Sequence, residues 1–196
     1  MTAAVPADLT HLLGLYAGTD DPWGFRTSDY EVRRLATVAR ALPRARYASA
    51  LELGCGNGEL ARRIAPHCDA YTGLDAVPAA LDAARAAVPA GRFVEAFLPC
   101  DLPTAPDGGA HDLVLLSEVL YFLARKTVRD LAARIDRTWP AADVVTATWR
   151  GPTGHALGGE EAFAIFADAT LRSWRSVQSD AGCRITVFTP LMSPVA

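Results

Sequence analysis

The sequence predicts an α/β fold in which helices cover both faces of a sheet. Apolar, strand-like runs alternate with amphipathic helical stretches from residue 48 almost to the end of the chain. The run at residues 111–117 is almost continuously apolar, as expected for a strand that is buried on both faces. A glycine-rich turn joins the first apolar run to the helix that follows it.

The first half of this alternation contains three strands and two helices. The strands are predicted at residues 48–53, 70–74 and 92–98. The first helix begins near Gly58 and ends at Pro66, because proline lacks the N–H group that a helix interior needs. The second begins at Pro78, since proline suits a first helical turn. Its buried stripe consists of Leu81, Ala84 and Val88.

The second half follows a loop rich in proline and glycine at residues 99–109. Its elements are a strand at 111–117, a helix at 125–138, a strand at 143–149, a polar loop at 151–159, a helix at 160–170, and strands at 173–179 and 183–188. A short turn at residues 180–182 makes the last two strands antiparallel neighbours.

Residues 1–47 stand outside the alternation and predict two helices. Apolar spacing from Leu9 to Tyr16 indicates a short helix, and the Ser28/Glu31 pair is typical of a capping box that opens a helix over residues 28–42. The two helices could form a lid over a ligand site, or they could simply cover an edge of the sheet.

Length, charge and composition argue against several classes of function. A chain of 196 residues predicts one domain, 1–196, with its α/β core at 48–190. The net charge of −3 and the scattered arginines argue against nucleic acid as a substrate. We find no secretion leader and no apolar run of about 18 residues, so a soluble, cytoplasmic protein without membrane contact is expected. The four cysteines and four histidines lack metal-site spacing, so no metal is expected.

The glycine-rich turn predicts a ligand site. Residues 51–60 read Leu-Glu-Leu-Gly-Cys-Gly-Asn-Gly-Glu-Leu, and glycines at 54, 56 and 58 let the backbone turn tightly and approach a ligand. The helix that follows points free N–H groups at the same place. Asp75 lies 21 residues after Gly54, at the end of the next strand, where its carboxylate can accept both hydroxyl protons of a ribose. The pattern therefore predicts a cofactor that contains adenosine.

The spacing of the glycines selects among such cofactors. Dinucleotide-binding loops have the pattern G-x-G-x-x-G, but the position three after Gly56 is Glu59. Glu52 lies two residues before Gly54 and suits a cationic cofactor better than a pyrophosphate. The pattern resembles motif I of class I S-adenosylmethionine-dependent methyltransferases. This resemblance implies S-adenosyl-L-methionine as cofactor and S-adenosyl-L-homocysteine as product, with Glu52 meeting the ammonium group directly or through water.

The order of elements over residues 48–190 is similar to the Rossmann-like class I methyltransferase fold. That fold implies a seven-stranded, mostly parallel sheet of order 3-2-1-4-5-7-6 with strand seven reversed. Residues 21–31 and Trp149-Arg150-Gly151 resemble the NodS-type (nodulation protein S) group, whose namesake N-methylates an amino sugar of rhizobial chitooligosaccharide signals. The resemblance implies a small-molecule acceptor, an amine of an amino sugar or of another secondary metabolite, and a monomer or homodimer. An O-methyltransferase, an NAD-dependent oxidoreductase and a non-catalytic scaffold remain alternatives.

The resemblance also implies the cofactor contacts. Those from the strand ends and the glycine loop are Glu52, Gly54, Cys55, Gly56, Asn57, Gly58, Asp75, Ala76 and Ser117. Phe97 stands where many class I enzymes carry an acid that accepts the adenine amino group, so Phe97 or Leu98 is expected as an apolar wall. Asp101 could replace that acid or could be an ordinary loop residue.

Three N-terminal residues are further candidates for cofactor contacts. Trp23 and Tyr30 could close over the cofactor or pack between helices. Arg33 could bind the cofactor carboxylate as a bidentate pair.

The ends of strands four and five supply the candidate catalytic residues, since open α/β sheets hold substrates there. Glu118 could hold an acceptor amine or take its proton, or it could stabilise a helix N-terminus. Tyr121 could reach the same pocket or pack in the core. His155 titrates near neutrality in a loop rich in glycine and proline, so it could act as a base or be merely solvated.

Overall fold

The computed structural model describes residues 7–179 and 182–192. The strands are β1 (Tyr47–Leu53), β2 (Cys68–Asp75), β3 (Arg92–Glu95), β4 (Leu113–Ser117), β5 (Asp143–Trp149), β6 (Trp174–Ser179) and β7 (Cys183–Phe188). The α-helices are α1 (Leu9–Leu15), α2 (Asp29–Arg40), α3 (Ala61–Ile64), α4 (Pro78–Ala87), α5 (Arg125–Thr138) and α6 (Gly159–Ala169). Short 3₁₀ helices lie at Ala65–His67 and Leu120–Phe122. None of these helices is long and apolar enough to cross a membrane.

The strand order is β3-β2-β1-β4-β5-β7-β6. β1 pairs in parallel with β2 and β4, β2 with β3, and β4 with β5. β7 runs antiparallel to both of its neighbours, β5 and β6. This confirms the predicted seven-stranded sheet with its reversed last strand. The predicted turn between β6 and β7 falls partly on residues 180 and 181, which lie outside the described residues.

The place of β4 in the middle of the sheet explains why successive residues of this strand are apolar. Its side chains point alternately to the two sides of the sheet. Val114 and Leu116 belong to a buried cluster with residues of α5 and α6. Leu113 and Leu115 belong to a second buried cluster with residues of α2, α3 and α4. Helices therefore cover both faces of the sheet, as predicted.

Some elements begin or end at residues other than those predicted. β5 and α5 have the predicted bounds, whereas α3 begins at Ala61 instead of Gly58. Gly58 has a φ of +79°, which no helical residue adopts, so the loop continues past it. β3 ends at Glu95, and the residues after it belong to the cavity described below.

The start of α2 forms only one half of the predicted capping box. The Ser28 hydroxyl accepts a hydrogen bond from the Glu31 N–H at 3.4 Å. The Ser28 N–H instead donates to the Gly24 carbonyl at 2.8 Å. The Glu31 carboxylate pairs with Arg34, one helical turn further on, at 2.7 Å. This pairing places a charged group of α2 next to the sheet.

Candidate active site

A cavity of about 530 Å³ lies at the carboxyl ends of β1, β2, β4 and β5. It brings together residues from the glycine loop, the strand ends and the N-terminal segment. The sequence-predicted site residues that line it are Trp23, Tyr30, Glu52, Gly54, Cys55, Gly56, Asn57, Asp75, Ala76, Phe97, Leu98, Ser117, Glu118, Tyr121 and His155. Gly58 and Arg33 are not among the residues that line it.

The glycine loop is held against the end of β2 by backbone hydrogen bonds. The N–H groups of Gly54 and Cys55 both donate to the Leu74 carbonyl at 2.8 Å. Gly54 has a φ of +73°, and a Cβ there would come within 2.8 Å of Val119. A Cβ on Gly58 would lie 2.7 Å from the Ala84 backbone, so this glycine lets the loop pack against α4 instead of contacting a ligand.

Asp75 is fixed by the backbone on both sides. One carboxylate oxygen accepts from the Gly56 N–H at 2.8 Å, and the other accepts from the Val77 N–H at 3.0 Å. Burial raises the pKa of Asp75, although these hydrogen bonds oppose the shift. Each oxygen keeps a second lone pair, so a rigid carboxylate acceptor remains available at the edge of the cavity.

Glu52 is almost fully buried within β1, and the Tyr71 hydroxyl donates to one of its oxygens. Burial raises the pKa of Glu52 to about 8. A cation beside it would favour the ionised form. Burial also raises the pKa of the Cys55 thiol, which makes a nucleophilic role unfavourable.

The N-terminal segment closes one side of the cavity. Tyr16 is buried, and a Cβ on Gly56 would lie 3.3 Å from its hydroxyl oxygen. Asn57 donates from Nδ2 to the Asp20 carbonyl at 3.2 Å and to the Asp21 carboxylate at 3.0 Å. Asn57 thus ties the glycine loop to the connection between α1 and α2. Tyr16, which caps the end of α1, was not predicted as a site residue, because its apolar spacing from Leu9 is that of ordinary helix packing.

Glu118 lies directly after β4 in a backbone conformation that is rare for a residue with a side chain, with a φ of +56°. Its Oε2 accepts from the Trp149 N–H at 2.8 Å and from the Tyr121 hydroxyl at 2.9 Å. Its Oε1 is buried and has no hydrogen-bond partner among the described residues. Burial raises the pKa of Glu118, and the nearby Arg34 guanidinium opposes this shift.

The arginine at the cavity is Arg34 and not the predicted Arg33. Arg33 lies on the exposed face of α2, whereas Arg34 is buried and lines the cavity. Tyr30 also lines the cavity, and Arg34 follows it by four residues, which places the two on the same helix face. This spacing was the signal in the sequence that could have identified Arg34.

His155 belongs to a group of rings at the cavity. Its ring centroid lies 4.2 Å from that of Phe122, 5.9 Å from that of Tyr121 and 5.5 Å from that of His11. Burial lowers the pKa of His155, and His11 lowers it further. The imidazole is therefore neutral near pH 7 and can accept a proton.

The end of the cavity beyond β3 is apolar. Phe97 and Leu98 line it together with Ala76, and Phe97 is partly exposed. Asp101, the possible substitute acid, is fully exposed outside the cavity and pairs with Arg134 at 3.2 Å. Within the described part of the chain, no three acidic, histidine or cysteine side chains cluster as a metal site would require.

The chain matches a known protein family over most of its length. The family model for nodulation protein S (NodS) matches residues 5–184. Nodulation protein S of Bradyrhizobium diazoefficiens is 31% identical over 170 residues, which cover 81% of this chain and 78% of the relative. Nodulation protein S of Rhizobium tropici is 27% identical over 200 residues, which cover 96% and 82%.

Solved structures show the same fold. The N-methyltransferase NodS from Bradyrhizobium japonicum WM9, in complex with S-adenosyl-L-homocysteine, has a TM-score of 0.76 and 23% identity, with 93% of this chain and 98% of that chain covered. A putative methyltransferase from Pseudomonas syringae has a TM-score of 0.68 and 29% identity, with 81% and 97% covered.

Proposed function

Because the chain belongs to the NodS family and is an S-adenosylmethionine-dependent methyltransferase, we propose that its acceptor is an amine of a small molecule, an amino sugar or another secondary metabolite. The observation that carries this proposal is the Glu118 carboxylate. It is largely buried at the end of β4, is fixed through Oε2, and lines a cavity of sufficient size for a small ligand, while its Oε1 accepts no hydrogen bond from the described residues.

The residues at the cavity fit the cofactor. Gly54 and Gly56 keep the loop free of side chains, and Asp75 offers a fixed carboxylate for the ribose hydroxyls. Glu52 lines the cavity, and the ammonium of the cofactor would favour its ionised form and pair with it. Phe97 and Leu98 would form the apolar wall at adenine. The Tyr30 hydroxyl is buried without a hydrogen-bond partner among the described residues, so it can meet a polar group of a ligand.

When bound, S-adenosylmethionine supplies an activated methyl group, so that a nitrogen–carbon bond forms while a carbon–sulfur bond breaks and S-adenosylhomocysteine leaves. The protein has to align the acceptor, exclude water and receive a proton. Glu118, which lines the cavity, would hold the acceptor N–H and take the proton that the nitrogen loses. Tyr121 would keep Glu118 in place by its hydrogen bond at 2.9 Å.

His155 would receive the proton from Glu118 or directly from the acceptor, since its lowered pKa keeps it neutral. The N-terminal segment, residues 7–40, would act as a lid through Tyr16 and Trp23, both of which line the cavity. Trp23 is 40% exposed at the rim, as expected of a side chain that a ligand would cover.

Paired acceptors that differ in one group test the proposal. Transfer of labelled methyl groups should be measured with glucosamine against glucose, and with 2-phenylethylamine against 2-phenylethanol. We expect incorporation into amines and none into the matching hydroxyl compounds. Transfer to the hydroxyl compounds alone would overturn the amine assignment and identify an O-methyltransferase.

Variants of the two candidate bases test their roles with the best amine found. Glu118→Gln should lower kcat/KM by roughly 10²–10⁴-fold while the Kd for S-adenosylhomocysteine stays unchanged. The loss should shrink at high pH, because the amine then deprotonates in solution. The same measurement on His155→Ala shows which group carries the proton. If both variants keep wild-type rates from pH 6 to 9, alignment alone accounts for catalysis.

A further inference from the structure

A buried group of charges joins α2 to the end of β4. We call Glu31, Arg34, Ser117 and Glu118 the Arg34 cluster. Arg34 Nε donates to Glu31 Oε2 at 2.8 Å, and Nη1 donates to the Ser117 hydroxyl at 3.1 Å. The same Nη1 lies 3.4 Å from Glu118 Oε1. Arg34 is therefore placed between the two carboxylates.

Burial of the two side chains strengthens the effect of the Arg34 charge on Glu118. The Arg34 side chain is only 2% exposed, and that of Glu118 is 15% exposed. A buried carboxylate without a cation nearby would take up a proton instead of staying charged. The contacts of Arg34 with Glu31 are closer than its contact with Glu118. Glu118 Oε1 consequently gains the electrostatic effect of Arg34 while remaining free of a full hydrogen bond.

We propose that Arg34 is a positioning residue for Glu118: its guanidinium, 3.4 Å from Oε1, holds the carboxylate in its charged form beside the acceptor site. The proposal rests on the proposed function for the role of Glu118. Two carboxylates and one guanidinium give the Arg34 cluster a net charge of −1, which complements a cationic amine and disfavours a carboxylate-bearing acceptor group at this position.

Other groups near Glu118 cannot replace Arg34. Tyr121 donates a neutral hydroxyl, and β5 contributes only the backbone N–H of Trp149. Glu31 raises the pKa of Glu118, so it acts against ionisation. Tyr30 of α2 is a neutral phenol whose pKa burial raises. Among the described residues, Arg34 is the cation that forms an ion pair with Glu118.

Arg34→Met and Arg34→Lys test the proposal, with Arg40→Met as the control. Arg40 lies on the same helix but is exposed and does not line the cavity. The pKa of Glu118 is measured without any acceptor, by ¹³C NMR of labelled glutamate carboxylates, with the signal assigned by its loss in Glu118→Gln. Arg34→Met should raise this pKa by roughly 1 unit or more. Arg34→Lys should restore most of the shift, and Arg40→Met should leave it unchanged.

The kinetic profile provides the second readout. In Arg34→Met, the acidic limb of kcat/KM should move to higher pH by the same amount, while the Kd for S-adenosylhomocysteine stays near that of the wild type. An unmoved Glu118 pKa in Arg34→Met would overturn the proposal, and a Kd at least tenfold higher in the same variant would make Arg34 a ligand of the cofactor instead. If Arg34→Met does not fold, the neutral variant Arg34→Gln, compared with the wild type, gives the same two measurements. If the wild type methylates no amine, the proposed function fails, but the NMR titration still decides the role of Arg34.

Discussion

Asp75 shows how one residue can serve both the fold and the site. Its two oxygens accept the N–H groups of Gly56 and Val77, so the same carboxylate shapes the glycine loop and faces the cavity. The sequence distance from the glycine motif was enough to predict that Asp75 faces the cavity, because the loop and the next strand end at one edge of the sheet, but it did not predict the two backbone hydrogen bonds.

We expect Asp75→Ala to weaken the binding of S-adenosylhomocysteine by roughly 10–150-fold, since a charge-assisted hydrogen bond contributes about 1.5–3 kcal/mol. Calorimetry measures the Kd. Asp101→Ala is the control, because Asp101 is exposed outside the cavity and should leave the Kd unchanged. A folded Asp75→Ala protein with wild-type affinity would remove Asp75 from the ribose role.

The contacts that fix the other site residues could not be predicted from the sequence. Glu118 was found because it follows an apolar strand, but the hydrogen bonds that fix its Oε2 come from Trp149 and Tyr121, and its free Oε1 depends on both. Choosing between Arg33 and Arg34 required the rotation of α2 about its axis. That rotation is set by packing of the helix on the sheet, and the four-residue spacing from Tyr30 to Arg34 is the trace of it in the sequence.

At the scale of elements, the ends of helices and strands could be predicted where a single sequence pattern covers the whole element. α5 and β5 begin and end as predicted, because a periodic apolar face and a β-branched run dominate them. α3 was misplaced because the glycine pattern reads equally as the end of a loop or the start of a helix. The close approach of Gly58 to Ala84 of α4 decides for the loop, and that contact joins distant elements.

Gly58 and Gly108 provide a matched pair of substitutions. Both have positive φ, +79° and +82°, but a Cβ on Gly58 would lie 2.7 Å from the Ala84 backbone, whereas nothing lies within 4 Å of one on Gly108. Gly108→Ala should cost about 1–2 kcal/mol of unfolding free energy from its φ alone. Gly58→Ala should cost about 1–3 kcal/mol more because α4 must shift. Urea unfolding measures both, and equal losses would contradict this role for Gly58.

At the scale of the whole molecule, segments far apart in sequence close the cavity. The Ala7 N–H donates to the Phe122 carbonyl at 3.2 Å, and the rings of His11 and His155 lie 5.5 Å apart. The order of the strands followed from the family resemblance, but these contacts did not. The contact of His11 with His155 depends on how the loop after β5 folds back, and the glycines and prolines of this loop permit several paths.

The ionisation of Glu52 in the cavity also makes the stability of the whole protein depend on pH. Glu52 is buried, and its pKa in the folded protein is about 8, against the ordinary value of 4.5. A carboxyl group with a raised pKa binds its proton more tightly in the folded state than in the unfolded state. Its contribution to stability is therefore complete below pH 4.5 and is lost as the pH rises to about 8.

The unfolding free energy of the ligand-free protein should consequently fall by about 2 kcal/mol between pH 6 and pH 8 through Glu52 alone. Glu52→Gln should remove this part of the slope, because glutamine accepts the Tyr71 hydrogen bond but does not titrate. Urea unfolding at the two pH values, on the wild type and the variant, isolates the difference. Saturating S-adenosylhomocysteine should reduce the loss in the wild type, since its ammonium favours ionised Glu52. Parallel slopes in both proteins would mean that Glu52 stays ionised in the fold and that another group controls the pH dependence.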